Sequence, residues 1–342
     1  INESFSNIFR LFTQLAEKDP GSYLDEDDIQ RYHFIMYEKD IAHSRKDEAA
    51  DYLSFLKSKF RKMYRERRTE CPKEMLTYTQ DLENSFHALK TLFTYGQDDI
   101  TASVLERLFI LGRVANFYPL LIASWLRFGK DKSQLDTILD VIETFIFRAY
   151  AIGGRRADTG QSRLYDLAFK VHVGASSYQE TIAELRELVK EYCDDAKFRI
   201  ALSSPEFYLA IDNTDQKYFF FEYEKFLRER NKEPLDMKLE EILKDNFTIE
   251  HIWPSDASQL NLSREKLAEH QLNKHRLGNL TLASRSWNSR WGNSPFHIKK
   301  GEYSRSVLRV QMELSSFTTW ETSQIDQRER QLMEFAVNRW KY

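Results

Sequence analysis

The first 245 residues repeat apolar positions with the spacing of an α-helix. In the segment 135–152, Leu135, Ile138 and Leu139 start an i, i+3, i+4, i+7 series, which places apolar side chains on one helix face. The same spacing recurs in 47–65, 74–94, 101–126 and 178–193. Only 11 Gly and 7 Pro occur in the chain, which favours long helices with few turns. We therefore predict a multi-helical domain over residues 1–245.

The pattern changes after residue 246. "FTIEHIW" is a short β-branched and aromatic run typical of a strand, and Ser263 is placed to cap a helix in "NLSREKLAEHQL". "LGNLTL" predicts a turn and a second strand, and "SRSWNSRWGNSPF" predicts a short helix that ends near Gly292. The order strand, loop, strand, helix indicates a small α+β domain over 246–342. An amphipathic helix closes it, with core positions at Ile325, Leu332, Phe335 and Trp340.

Composition predicts a soluble globular protein long enough for two or three domains, with 42% apolar and 30% charged residues. Neither Cys71 nor Cys193 belongs to a CxxC motif, so we expect no disulfide or zinc framework and a reducing cytoplasm. "FYPLLIASWL" spans ten residues between Arg113 and Arg127, which is a buried helix rather than a membrane span. The chain begins with Ile1 and shows no signal peptide, and we expect it to be part of a longer protein.

Basic charge is concentrated near the second domain. The net charge of the chain is −3, but residues 246–342 hold 14 Lys and Arg against 10 Asp and Glu, and residues 261–310 hold 10 against 3. Such a concentration favours an anionic partner such as DNA.

Three polar residues carry the candidate chemistry in this basic region. His251 lies in the first predicted strand, Asn279 in the loop, and Asn288 nine residues later on the predicted helix. The histidine of an isolated Glu-His pair in a strand is more often structural, with a partner inside the sheet, than catalytic. Phosphodiester hydrolysis, however, needs a base for the attacking water and a hard cation for the phosphate, and imidazole and amide oxygens suit these tasks. The layout is that of an HNH, or ββα-metal, nuclease site.

Several motifs in order resemble the C-terminal HNH nuclease domain of GmrSD-type restriction endonucleases, which are modification-dependent enzymes with phosphorothioate-sensing relatives. They are "TIEHIWP", "HRLGNLTLAS", "NSRWGNSPFHIKK" and "YSRS", followed by Trp320, Ile325, Arg328, Leu332 and Trp340. The helical stretch 135–245 also resembles the segment before the nuclease in that family.

The resemblance implies a role for each matching residue. His251 would be the general base, Asn288 a ligand of Mg²⁺ or Mn²⁺, and Asn279 the loop residue that supports the histidine. Glu250 would be a second metal ligand. Adjacent strand residues point to opposite faces, so Glu250 and His251 serve one site only if the strand twists or ends there, as Pro254 suggests.

Further residues are candidates for contact with DNA. His275 matches a family position and either touches phosphate or shapes its loop, against the alternative of a structural hydrogen bond. Asn293, Lys299 and Lys300 also match, against the alternatives of a turn residue and a solvated helix face. The remaining candidates for phosphate contact are arginines, namely Arg276, Arg285 and Arg290. We expect Trp287 and Trp291 to pack the helix rather than stack on bases.

The family pattern also implies partners. Its members carry an N-terminal sensor domain, whose Asp-Gly-Gln-Gln-Arg motif does not occur here; we expect that domain in the same or a partner chain, and a possible homo-oligomer. The predicted function is a metal-dependent DNA endonuclease or nickase of a phage-restriction system. Two alternatives stay open: an inactive helical scaffold that binds DNA or a partner subunit, and an HNH toxin acting on another nucleic acid.

Overall fold

The computed structural model describes residues 6–11, 13, 26–38, 51–94, 100–244, 246–258 and 260–342. It divides into two compact units, one of residues 1–143 and 156–188 and one of residues 144–155 and 189–342. The described residues are mostly helical with one small sheet, which confirms the prediction of a mainly α fold. The domain boundary predicted after residue 245 stays a prediction.

The first unit is built from helices. They are α1 Glu26–Tyr37, α2 Tyr52–Glu66, α3 Cys71–Thr94, α4 Ile100–Leu111, α5 Tyr118–Phe128, most of α6 Lys132–Phe145, α7 Gln161–His172 and most of α8 Tyr178–Cys193. Helix α5 contains the "FYPLLIASWL" run except Phe117, which lies in the 3-10 turn before it. It packs against α1, α3 and α7. Leu120, Leu121, Ile122 and Ala123 are all fully buried there, as predicted. Within the described residues, no helix combines the length and the apolar character needed to cross a membrane.

The second unit contains further helices and the two strands. They are a π-helical turn Ile146–Ile152, then α9 Asp195–Leu202, α10 Phe207–Ala210, α11 Asn213–Arg230, α12 Leu239–Leu243, β1 Phe247–His251, α13 Arg264–Asn273, β2 Leu280–Ser284, α14 Arg285–Trp291, α15 Phe296–Tyr303, α16 Arg309–Met312 and α17 Thr322–Arg339. The π turn was not predicted, because its apolar residues also fit a regular helix.

A buried arginine fastens the C-terminal end of the second unit. Arg148, in the π turn, donates to the backbone oxygens of Cys193 at 3.1 Å and Trp340 at 3.0 Å, and to the carboxylate of Asp195 at 2.6 Å. The Trp340 ring stacks on Phe147 with centroids 4.0 Å apart. These contacts explain why Trp340 is fully buried so close to the end of the chain.

The two predicted strands form an antiparallel pair, with Ile249 opposite Leu282 and His251 opposite Leu280. Helix α14 begins directly after β2, because the Ser284 hydroxyl accepts from the backbone N–H of Trp287. It ends at Gly292, whose φ of +48° favours glycine. The predicted order of strand, loop, strand and helix is therefore present.

Other local predictions in this unit are also confirmed. The Ser263 hydroxyl accepts from Lys266 N–H and caps α13. Helix α17 buries the predicted core positions Ile325, Leu332 and Phe335. The apolar core beside the sheet collects Ile252, Trp253, Ala283, Trp291, Phe296, Tyr303, Leu314, Trp320 and Ile325.

Candidate active site

A cleft of about 360 Å³ opens where β1 ends and α14 lies beside it. It brings together five of the residues singled out in the sequence. They are Glu250, His251, His275, Asn288 and Asn293, and the remaining lining residues are Tyr208, Thr248, Ile249, Pro254, Ser255 and Gly292. Residues distant in sequence meet here because β1 and β2 pair in register and α14 follows β2 without a loop.

His251 is largely enclosed, with 8% of its surface exposed. Its Nε2 lies 3.1 Å from Nδ1 of His275. The ring of Tyr208 packs edge-on against His251, with centroids 4.4 Å apart. Burial, followed by the nearby His275 and Lys299, lowers the pKa of His251 to about 3, so the imidazole is neutral at pH 7.

Asn279 braces the backbone that follows His251. Its Oδ1 accepts from the backbone N–H of Trp253 at 2.7 Å and from the indole of Trp320 at 2.9 Å. Its Nδ2 donates to the backbone oxygens of Trp253 at 2.9 Å and Lys274 at 2.8 Å. All four hydrogen-bonding positions of this fully buried amide are therefore used inside the protein.

Glu250 points to a buried lysine. Its Oε1 lies 2.5 Å from Nζ of Lys299, which also donates to the backbone oxygen of His251 at 2.8 Å. Both side chains are nearly inaccessible, at 5% and 0% exposure. Burial raises the pKa of the Glu250 carboxyl and lowers that of the Lys299 ammonium, and each charge opposes the shift of the other. The family resemblance implied that the Glu250 carboxylate binds a metal, but in this structure the carboxylate is paired with Lys299.

Asn288 is half-buried on α14 and lines the cleft. Within the described residues its side-chain amide makes no hydrogen bond to protein, whereas the Asn293 amide donates to Asp256 at 3.2 Å. No group of three or more His, Cys, Asp or Glu side chains in the described part of the chain is arranged to hold a metal. Asn288 therefore offers the cleft an amide oxygen that is not engaged within the described residues.

The basic candidates fall into two groups. Arg276 is held by Glu329 and, at 2.7 Å, by Asp326, and Lys299 is buried against Glu250, so this geometry gives no support to phosphate contacts by either residue. Lys299 does not lie on a solvated helix face either, because its side chain is fully buried. The other candidates are at least partly accessible, namely Arg285, Arg290 and Lys300.

Two tryptophans flank Asn288. Trp291 is buried and meets Tyr303 edge to face at 5.0 Å, which confirms the packing role predicted for it. Trp287 is 36% exposed and lies under the guanidinium of Arg290, 4.8 Å from the ring centroid.

Tyr208 was not among the residues predicted from the sequence. It lies in α10, far from the motifs along the chain, and its backbone N–H donates to the backbone oxygen of His275 at 2.9 Å. The side chain of Gln216 holds the same turn through the backbone oxygens of Tyr208 and Ile211. No local signal marks an aromatic residue brought in by a tertiary contact.

Residues 192–335 match the family described as "GmrSD restriction endonucleases, C-terminal domain". The match includes every candidate residue of the cleft and confirms the resemblance drawn from the motifs. The resemblance noted for residues 135–191 lies outside it. No curated protein matches the chain.

Proposed function

We propose, from the GmrSD-type C-terminal domain in residues 192–335, that the chain is a metal-dependent DNA endonuclease or nickase with an HNH, or ββα-metal, fold. The observation that carries the proposal is the cleft that places His251 and Asn288 on one lining, beside two antiparallel strands and a helix. The restriction-endonuclease family makes DNA the substrate to expect.

His251 supplies the base in this proposal. Its lowered pKa keeps the imidazole neutral and able to accept a proton from water at pH 7. A phosphate group bound in the cleft would raise that pKa, because a nearby anion favours the imidazolium form. The activated water then attacks phosphorus, and the bond to the 3′ oxygen breaks.

The residues of the cleft fit a weakly held divalent cation. Asn288 offers an amide oxygen, and Mg²⁺ or Mn²⁺ commonly takes few protein ligands and completes its shell with water and substrate phosphate. When bound, such a cation stabilises negative charge on the phosphate and the leaving oxygen. Glu250 would join only by leaving Lys299.

Exposed cations near the cleft would position the DNA backbone. Arg290 and Lys300 are accessible in part or fully, and contacts of this kind give salt-dependent binding that tolerates many sequences. The proposal also includes an N-terminal sensor domain, in the same or a partner chain, and self-association of the chain. Both are in keeping with a role in phage restriction.

A plasmid-nicking assay with Mg²⁺, Mn²⁺ or EDTA tests the proposal. His251→Ala should lower the rate on the order of 10²-fold or more. Asn288→Ala should bind the cation weakly and therefore need a higher concentration of Mg²⁺ or Mn²⁺ for cutting. The exposed His297 provides a matched control, since His297→Ala should cut normally. Undiminished cleavage by the His251 variant would reject it as the base. A wild-type protein that binds DNA but never cuts it would favour the inactive scaffold, and cleavage of RNA alone would favour the toxin.

A further inference from the structure

The cleft contains two histidines whose rings are in direct contact. His251 and His275 meet through one specified nitrogen each, Nε2 of the first and Nδ1 of the second, at 3.1 Å. A hydrogen bond between two neutral imidazoles needs one ring to donate and the other to accept. The direction of this bond therefore decides which nitrogen of His251 carries the hydrogen.

The proposed function selects one direction. If Nε2 of His251 accepted from His275, the hydrogen of His251 would sit on Nδ1, and a neutral ring would have no free nitrogen for a proton from water. If Nε2 of His251 donates to Nδ1 of His275, then Nδ1 of His251 is unprotonated and can act as the base. Only the second arrangement is compatible with catalysis.

Tyr208 holds both rings in the geometry that this bond requires. Its ring lies nearly parallel to His275, at 11° and 5.6 Å between centroids, and edge-on to His251 at 4.4 Å. The backbone N–H of Tyr208 donates to the backbone oxygen of His275. The two imidazoles are thus fixed from a third element, α10, rather than by the strands alone.

We propose that His275 and Tyr208 are positioning residues that hold His251 in the Nε2–H tautomer and leave Nδ1 as the proton acceptor. This inference rests on the proposed function, because it assigns the base its reactive nitrogen. It replaces the contact between His275 and DNA phosphate, which was one of the roles that the sequence suggested for this residue.

Two variants of His275 test the hydrogen bond with matched shapes. The side-chain oxygen of asparagine branches at the same carbon as Nδ1 of histidine and can accept a hydrogen bond, whereas leucine has the same branching and no acceptor. His275→Leu should lower kcat about 10- to 100-fold, the usual loss when an orienting partner of a histidine is removed. His275→Asn should recover most of that loss.

The split between kinetic constants separates positioning from DNA binding. Loss of a positioning residue lowers kcat with little change in KM, whereas loss of a uniform binding contact raises KM. Loss of a phosphate contact would also reduce the salt dependence of DNA binding. A His275→Leu protein with normal kcat and a raised KM would overturn the proposal.

The tautomer can be read without any substrate. In the full chain labelled with ¹⁵N-histidine, the ring nitrogen shifts of His251, assigned by comparison with His251→Ala, should show a protonated Nε2 and an unprotonated Nδ1. His275→Leu and Tyr208→Ala should reduce this preference, whereas Tyr208→Phe should keep it, since the ring rather than the hydroxyl makes the contact. Unchanged His251 signals in His275→Leu would refute the positioning role even if the protein cuts DNA. Absence of cleavage together with the expected signals would instead reject the proposed function alone.

Discussion

The buried pair of Glu250 and Lys299 allows a quantitative test of how the cleft is held together. Lys299→Met removes the ammonium and keeps an unbranched side chain of similar length. It leaves Glu250, at 4% exposure, with an uncompensated charge in the interior. Loss of one partner of a buried ion pair costs about 3–5 kcal/mol of unfolding free energy.

Glu250→Met should cost about the same, because it strands the lysine instead. The double Met variant should lose only about 1–3 kcal/mol, since the remaining penalty is the donor that Lys299 provides to the His251 backbone oxygen at 2.8 Å. The effects of the two single variants should therefore be strongly non-additive.

Urea unfolding of the four proteins measures this coupling, and each single variant should also lower the Tm of its unit by about 6–20 °C. Lys300→Met is the matched control, because its side chain is partly exposed on the same helix; it should change stability by less than about 0.5 kcal/mol. Additive losses would refute the ion pair as a structural unit. Loss of cation-dependent cutting in Glu250→Met with unchanged stability would instead favour Glu250 as a metal ligand.

Three other predictions follow from buried or exposed polar groups. Burial lowers the pKa of His33 from 6.5 to about 3, so the first unit should lose about 1.4 kcal/mol of unfolding free energy per pH unit as the pH falls between those values. Urea unfolding at several pH values should show that the unfolding free energy of His33→Gln changes less with pH. The same pH dependence in variant and wild type would contradict this. Asn279→Ala should lower the unfolding free energy, measured with urea, by at least about 2 kcal/mol, since four hydrogen bonds are lost. An unfolding curve like that of the wild type would show that Asn279 does not stabilise the loop. Arg290→Ala should reduce the slope of log K for DNA binding against log salt concentration by about one. Arg276→Ala should mainly destabilise the fold, because Arg276 pairs with Glu329. A loss of stability in Arg290→Ala and a reduced salt slope in Arg276→Ala would show that the two roles are exchanged.

Local signals predicted the scaffold of the candidate site well. Ser263 marks the start of a helix through its side-chain hydroxyl, and Gly292 marks the end of another through its positive φ. Both strands follow from short apolar runs. The Glu250–Lys299 pair and the contact of Tyr208 with His251 left no such trace, because each depends on where distant elements meet in space. The match to a family position suggested that Lys299 contacts DNA, but its pairing with an opposite buried charge determines its position in the structure.

Asn279 and Asn288, the two asparagines that follow His251 in the motif, have different roles although their side chains are the same. Asn279 uses both hydrogens and both acceptor positions within the protein, so it cannot bind a cation without breaking the turn that carries Trp253. Asn288 has no hydrogen-bond partner for its amide among the described residues and lines the cleft beside His251. Binding of a cation there would cost no internal hydrogen bond. Saturation of the amide, rather than residue type or spacing, thus supports a structural role for Asn279 and a ligand role for Asn288.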